Sequence, residues 1–173
     1  MQILEPAGIV KGIAIDAASE AFNGITGYMI NAGGDILTHG KYINDQLWNI
    51  TIQDPHNAKA VVTALKIQNL SIATSGVYQT SGVKDGKAWH HLVNMETSKP
   101  THDILSATVI ASTAEQADTE ASLVILLGID RGVSRLENTR LPYFLILSDN
   151  KIIKNESFAA LEVPVSSVIR SIK

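Results

Sequence analysis

The spacing of apolar and polar positions changes at Ser112. Just before it, Thr108, Val109 and Ile110 are β-branched neighbours, the composition of a strand. Beyond it, Ala114, Ala117, Ala121, Val124, Ile125 and Gly128 recur at the i, i+3, i+4, i+7 spacing of a helix face that packs inward. Ser112 and Thr113 stand at the junction, with Glu115 and Gln116 three residues after each, so either pair predicts a capping box. Ser106 to Gly128 therefore reads as a strand running directly into a buried helix.

Upstream, residues 9–25 predict a first helix with Ile13, Ala14, Ala17, Ala18, Ala21 and Phe22 as its inward face, ended by Asn23-Gly24. Lys11 and Asp16, near its beginning, fit two solvated charges. Tyr28 to Asn31 predicts a short strand that breaks at Ala32-Gly33-Gly34-Asp35. Paired glycines permit positive φ and let a ligand approach the backbone closely; a plain hairpin turn has the same sequence and is commoner. Strands follow over Ile36–Lys41 and Leu47–Gln53, with Asn44-Asp45 as a turn and Asp54-Pro55 as the stop. Ala60–Ile67 and Asn69–Thr74 predict two more, the second ending in Thr74-Ser75-Gly76, which suits a turn or a phosphate-contacting loop.

Gly82–Lys87 reads as a polar hairpin tip, and Trp89–Val93 as a strand with His90 and His91 on opposite faces, so at most one of them faces a given pocket. Met95–Asp103 predicts a polar loop and Asp130–Asn138 a short helix. Tyr143–Ser148 and Lys151–Asn155 form a hairpin around Asp149-Asn150, and Ala159–Lys173 is weakly patterned. Strands and helices do not alternate. The chain reads as α+β, an antiparallel sheet with one long buried helix and one amphipathic helix.

The 173 residues suit a single domain with one substantial core, and 45% apolar content excludes a disordered chain. No apolar run is long enough to cross a bilayer; the longest, Leu123–Leu127, is the buried end of the helix. MQILEPAGIVKG has no basic n-region before an apolar core, so no signal peptide is expected and the cytoplasm is the default compartment. The absence of cysteine excludes disulfides, thiolate metal sites and a cysteine nucleophile. A net charge of −3 without a basic cluster argues against nucleic acid as a partner. Neither a GxGxxG turn opening a helix nor a Walker loop is present.

The chemistry concentrates on the central helix. Asp118 and Ser122 are four residues apart and point the same way, a carboxylate and a hydroxyl that suit a hard cation. The alternative is an exposed aspartate and a serine bonded to its own backbone, because two oxygens do not define a metal site.

Five segments in order resemble the ApbE-type FAD:protein FMN transferases. GIVKGIAID (Gly8–Asp16) is similar to G-I/F-A-K-G-x-x-x-D, NAGGDI (Asn31–Ile36) to N-x-G-G-D-I/V, and ATSGVY (Ala73–Tyr78) to A-T-S-G-x-Y. HLVNMETSKP (His91–Pro100) is similar to H-I-I/V-D-P-x-T-G-x-P, with Asn94, Met95 and Ser98 replacing the aspartate, proline and glycine. ADTEASLVILLG (Ala117–Gly128) is similar to A-D-A-x-A/S-T-A-x-x-x-x-G, with Glu120 at a position that is usually apolar.

The resemblance covers residues 1–173 almost end to end as one ApbE-like, T-fold-like domain, but only the C-terminal part of the family's length. It implies transfer of FMN from FAD to a threonine or serine of a target flavoprotein with Mg²⁺. By resemblance, Asp118, Ser122 and the Val10 carbonyl hold the metal, and His91 acts as general base. Lys11, Asp16, Gly33, Gly34, Asp35, Thr74, Ser75 and Gly76 line the FAD site. The family's N-terminal portion supplies one wall of that site, so the chain is either a fragment or short paralogue with weak activity, or self-association or a second chain completes the pocket. Two other outcomes fit the same residues: a flavin-binding module without transfer, and Mg²⁺-dependent hydrolysis of FAD. Relatives are often exported and lipid-anchored.

Overall fold

A computed structural model describes residues 7–77, 81–84, 87–90, 93–94, 99–100 and 103–169, with side chains over 9–77 and 103–168. Helix α1 (Ala7–Ser19) runs into a 3-10 turn (Glu20–Phe22), followed by β1 (Gly27–Ala32), β2 (Asp35–Gly40), β3 (Trp48–Asp54), β4 (Asn57–Ile67) and β5 (Ser71–Gly76). Short strands β6 (Ser81–Lys84), β7 (Lys87–His90), β8 (Val93–Asn94) and β9 (Lys99–Pro100) come next, then β10 (Ile104–Ala111) and α2 (Ala114–Thr139). The chain continues with β11 (Tyr143–Leu147), β12 (Ile152–Lys154), α3 (Glu156–Ala159), β13 (Glu162–Val163) and α4 (Val165–Ile169).

The main sheet has the order β1-β2-β5-β10-β11-β12 and every neighbouring pair is antiparallel. A second sheet, β13-β4-β3, covers one of its faces; α2 covers the other. Strand periodicity sorts the side chains between these two cores. On β11, Tyr143, Leu145 and Leu147 pack toward α2, whereas Phe144 and Ile146 join Ile50, Ile52, Leu65 and Ile67 of the second sheet. On β10 a register shift between Ile104 and Ser106 puts Ile104 on the same side as Ala107 and Val109 despite their opposite parity. This antiparallel α+β architecture is the one the sequence predicts.

The strand-to-helix junction also forms as read. Thr113 is the N-cap of α2, its hydroxyl accepting the Gln116 N–H at 3.2 Å. Gly128 interrupts α2 with φ 76° and ψ 178°. The helix then doubles back: a Cβ on Gly132 would sit 2.5 Å from Val124 Cγ2, and Arg135 reaches Glu120. In a straight helix residues 120 and 135 would be about 22 Å apart. The separate helix expected over Asp130–Asn138 is this second arm.

Two expectations are corrected. The face of α1 that the sequence assigns to the interior, Ile13, Ala14, Ala17, Ala18, Ala21 and Phe22, is exposed. Gly12 and Ile15 are the buried positions, because only a residue without a side chain lets α1 approach the start of α2. Thr74-Ser75-Gly76 is not a turn but the end of β5, paired in register with Thr108, Ala107 and Ser106. The turn comes earlier, where Asn69 adopts φ 54° and its side chain accepts the Gly40 N–H. Among the described residues, no helix is long and apolar enough to cross a membrane.

Candidate functional site

The site begins where α1 crosses the first turn of α2. Gly12 lies so close that a Cβ there would be 2.6 Å from both Ala114 O and Glu115 Cα. This contact brings two carboxylates into play. Asp16 accepts the Ala114 N–H at 2.9 Å through Oδ1 and the Glu115 N–H at 2.8 Å through Oδ2. Those amides are orphan donors of a helix N-terminus, which also favours negative charge, so Asp16 acts as a cap supplied by another helix. In return, Gly12 N–H donates to Asp118 Oδ2 at 3.1 Å, one turn further along α2.

Asp118 is 3% exposed and lies near a second buried carboxylate, Asp35, at the start of β2. Burial pushes the Asp118 carboxyl above its ordinary range, and the Asp35 charge pushes the same way; the Gly12 N–H and the Lys11 ammonium oppose both. Lys11 Nζ stands 2.5 Å from Asp35 Oδ2, while Asp35 Oδ1 accepts the Thr74 N–H at 3.2 Å. One ammonium thus serves two buried carboxylates. Across from Asp118 on the same helix, Ser122 Oγ is 2.9 Å from Ser75 Oγ on β5. The exposed aspartate and self-bonded serine that the sequence leaves open are therefore not what forms.

Four of the five resembling segments supply this corner: Lys11, Gly12 and Asp16 from the first, Asp35 from the second, Ser75 from the third, and Asp118 and Ser122 from the last. Thr74 contributes its amide to Asp35, but its hydroxyl pairs with Thr108 at 2.9 Å. Gly76 is buried in the ladder opposite Ser106. Gly33 and Gly34 form the two-residue turn of the β1–β2 hairpin, with φ 64° and 104° and open space around both. Their glycine identity answers to backbone conformation, and their place in the chain delivers Asp35. Val10 precedes Lys11 on α1 with its side chain exposed. His91 lies outside the described residues.

Two participants escape sequence reading. Gly12 looks like a helix-weakening residue until its contact with α2 is seen; the one signal was that it matches the second glycine of the G-I/F-A-K-G-x-x-x-D pattern. Glu120, an acid in an apolar row, is explained by Arg135, whose Nε and Nη2 donate to its two carboxylate oxygens at 2.6 Å each.

A hard divalent cation fits the donor set. Asp118 and Ser122 offer carboxylate and hydroxyl oxygens, and two buried carboxylates facing one ammonium leave an uncompensated negative charge. Among the described residues no three His, Asp or Glu side chains group as a metal site. Magnesium does not require such a group, since it binds through one or two carboxylates plus water and substrate phosphate.

Fold and corner together define an α+β protein whose polar site is assembled from two helices and the ends of two strands. The chain belongs to the ApbE family, whose model matches residues 2–145. It is 30% identical over 159 residues to the FAD:protein FMN transferase of Haemophilus influenzae, covering 88% of this chain and 46% of that protein. The Salmonella typhimurium FAD:protein FMN transferase is 31% identical over 133 residues, 76% of this chain and 38% of that protein. Among solved structures, the ApbE protein of Thermotoga maritima superposes with a TM-score of 0.85 at 28% identity, over 93% of this chain and 54% of that one. The flavin transferase ApbE of Vibrio cholerae gives 0.78 at 27% identity, over 91% and 52%. This chain spans about half the length of these relatives.

Proposed function

We propose that the chain carries the metal-binding and FAD-handling part of an FAD:protein FMN transferase. The observation that carries this reading is the convergence of Lys11, Asp35, Ser75, Asp118 and Ser122 in one partly buried corner. Asp118, Ser122 and the Val10 carbonyl would hold Mg²⁺, whose chemistry is to neutralise charge on a diphosphate. Lys11 remains 45% exposed at the rim, where its ammonium would meet an anionic ligand without leaving Asp35. In the transfer, a threonine or serine oxygen of the target flavoprotein bonds to the FMN phosphorus. The phosphorus–oxygen bond to AMP breaks with its electron pair going to AMP, and His91 takes the hydroxyl proton.

The test is incubation with FAD, Mg²⁺ and a target flavoprotein domain, read by intact-mass spectrometry for the FMN adduct. Asp118→Asn, which keeps an acceptor for Gly12, should weaken Mg²⁺-dependent FAD binding by about a hundredfold or more, since it removes a ligand rather than a ligand's support. AMP release without acceptor would assign hydrolysis instead. FAD binding without either product would assign a non-catalytic flavin module.

A further inference from the structure

The two side chains proposed to hold the cation are each gripped from outside their own helix. Asp118 is reached from α1, where the Gly12 N–H donates to its Oδ2 at 3.1 Å. Ser122 is reached from β5, where Ser75 Oγ lies 2.9 Å from Ser122 Oγ. The first contact holds a carboxylate in place. The second does more, because a hydroxyl has a direction that an ionised carboxylate lacks.

A serine hydroxyl has one proton and two lone pairs. It also turns readily about χ1, having no second heavy atom on Cβ to restrict it. In a helix one common resting bond runs to the carbonyl four residues back. Ser122 is bonded across to the sheet instead, and at 9% exposure it has little access to water as a substitute partner. As a ligand, it has to present a lone pair to the ion and send its proton away from it. Either oxygen can donate in the Ser75–Ser122 pair. A cation on Ser122 decides the matter: Ser122 donates and Ser75 accepts.

Ser75 is well placed for that task. It stands in the β5–β10 ladder opposite Ala107, between Thr74 and Gly76, which pair with Thr108 and Ser106. The Thr74 N–H donates to Asp35 Oδ1 at 3.2 Å, so the strand is tied to the same corner one residue earlier. An acceptor carried on paired sheet backbone holds its partner more accurately than one on a loop. We propose that Ser75 is a positioning residue for the cation: it accepts a hydrogen bond from Ser122 and so leaves a Ser122 lone pair facing the ion, itself touching neither the metal nor the dinucleotide. This assignment rests on the flavin-transferase reading of the corner, and it gives Ser75 a task different from the dinucleotide contact that resemblance implies.

The test uses Mn²⁺, a hard divalent ion that favours the same oxygen donors, titrated into the 173-residue chain with saturating FAD and followed by electron paramagnetic resonance of the free ion. Ser75→Ala should weaken Mn²⁺ binding by about tenfold or more, the usual effect of removing a group that orients a metal ligand. Ser75→Thr and Ser75→Val, nearly equal in shape and both suited to a strand, isolate the hydroxyl: the first should hold the affinity and the second lose it. On a Ser122→Ala background, Ser75→Ala should cost almost nothing more, since nothing remains for it to position. FAD binding measured without divalent ions should be the same in Ser75→Ala as in the parent. Three results overturn the proposal and leave the flavin reading intact: unchanged Mn²⁺ affinity in Ser75→Ala and Ser75→Val, an undiminished loss on the Ser122→Ala background, or weaker FAD binding by Ser75→Ala without divalent ions, which would make Ser75 a dinucleotide contact. A parent chain that takes up no Mn²⁺ with FAD would overturn the flavin reading and this assignment together.

Discussion

Replacing Gly12 by alanine tests the helix crossing on which the site is built. The added Cβ would lie 2.6 Å from Ala114 O, 2.6 Å from Glu115 Cα and 2.7 Å from Glu115 N, all backbone atoms that no rotamer change can move aside. α1 has to retreat by roughly half an ångström or more, the scale of shift that overpacking forces, at about 1–3 kcal/mol. The same retreat stretches the Asp118–Gly12 bond at 3.1 Å and the two Asp16 bonds at 2.9 and 2.8 Å. Each is charge-assisted, so losing the equivalent of one adds about 1.5–3 kcal/mol. Alanine in a helix returns about 1 kcal/mol. The net expectation is a loss of about 1.5–5 kcal/mol, seen in urea unfolding as a lower midpoint with unchanged slope, and as a fall in Tm of roughly 3–20 °C. A Gly12→Ala protein as stable as the parent would refute the reasoning, since it would mean that α1 yields at no cost and does not fix the position of Asp118.

The two arms of α2 should respond unequally to loss of their ion pair. Arg135→Met strands the Glu120 carboxylate at 7% side-chain exposure and should cost about 2–3 kcal/mol, whereas Glu120→Gln leaves Arg135, 43% exposed, free to turn to water and should cost about 1 kcal/mol. Equal costs by chemical denaturation would refute that asymmetry. Burial, helped by the hydrogen bond to Glu137 at 2.5 Å, pushes the Tyr143 hydroxyl up to about 12 from an ordinary 10. Between those values the folded chain holds a proton that the unfolded chain releases, so stability should fall as pH rises from 10 toward 12. Ultraviolet titration of the phenolates should lose its component near 12 in Tyr143→Phe; an unchanged curve would count against the buried Tyr143–Glu137 pair.

Neighbouring residues made the central part of the fold legible. β10 and α2 adjoin in sequence, and Thr113 caps its own helix, so composition and spacing were enough to find them. The first helix was found but turned the wrong way. Its sequence has two apolar sides, and spacing cannot tell which one meets α2; the glycine that decides this has no side chain to appear in a hydrophobic pattern. Asp16 illustrates a second limit. Residues 114 and 115, which it caps, lie about a hundred positions away, so nothing local separates a helix cap from a residue lining a ligand site. Glu120 looked out of place for the same reason, its partner lying on a helical arm that exists only because Gly128 turns the chain back. Resemblance to a family supplied what periodicity could not, namely which separated segments belong together. Four of the five meet in the structure, and the fifth holds His91.

The bond between Gly12 and Asp118 joins residues 106 positions apart. Closing so long a loop carries an entropic cost that must be met before the non-local contacts it brings together are rewarded. During synthesis, Lys11 and Asp35 emerge well before α2 exists to complete their surroundings. The proposed metal and dinucleotide site is therefore incomplete until the second long helix has been made and seated, and a ribosome-bound intermediate should lack it.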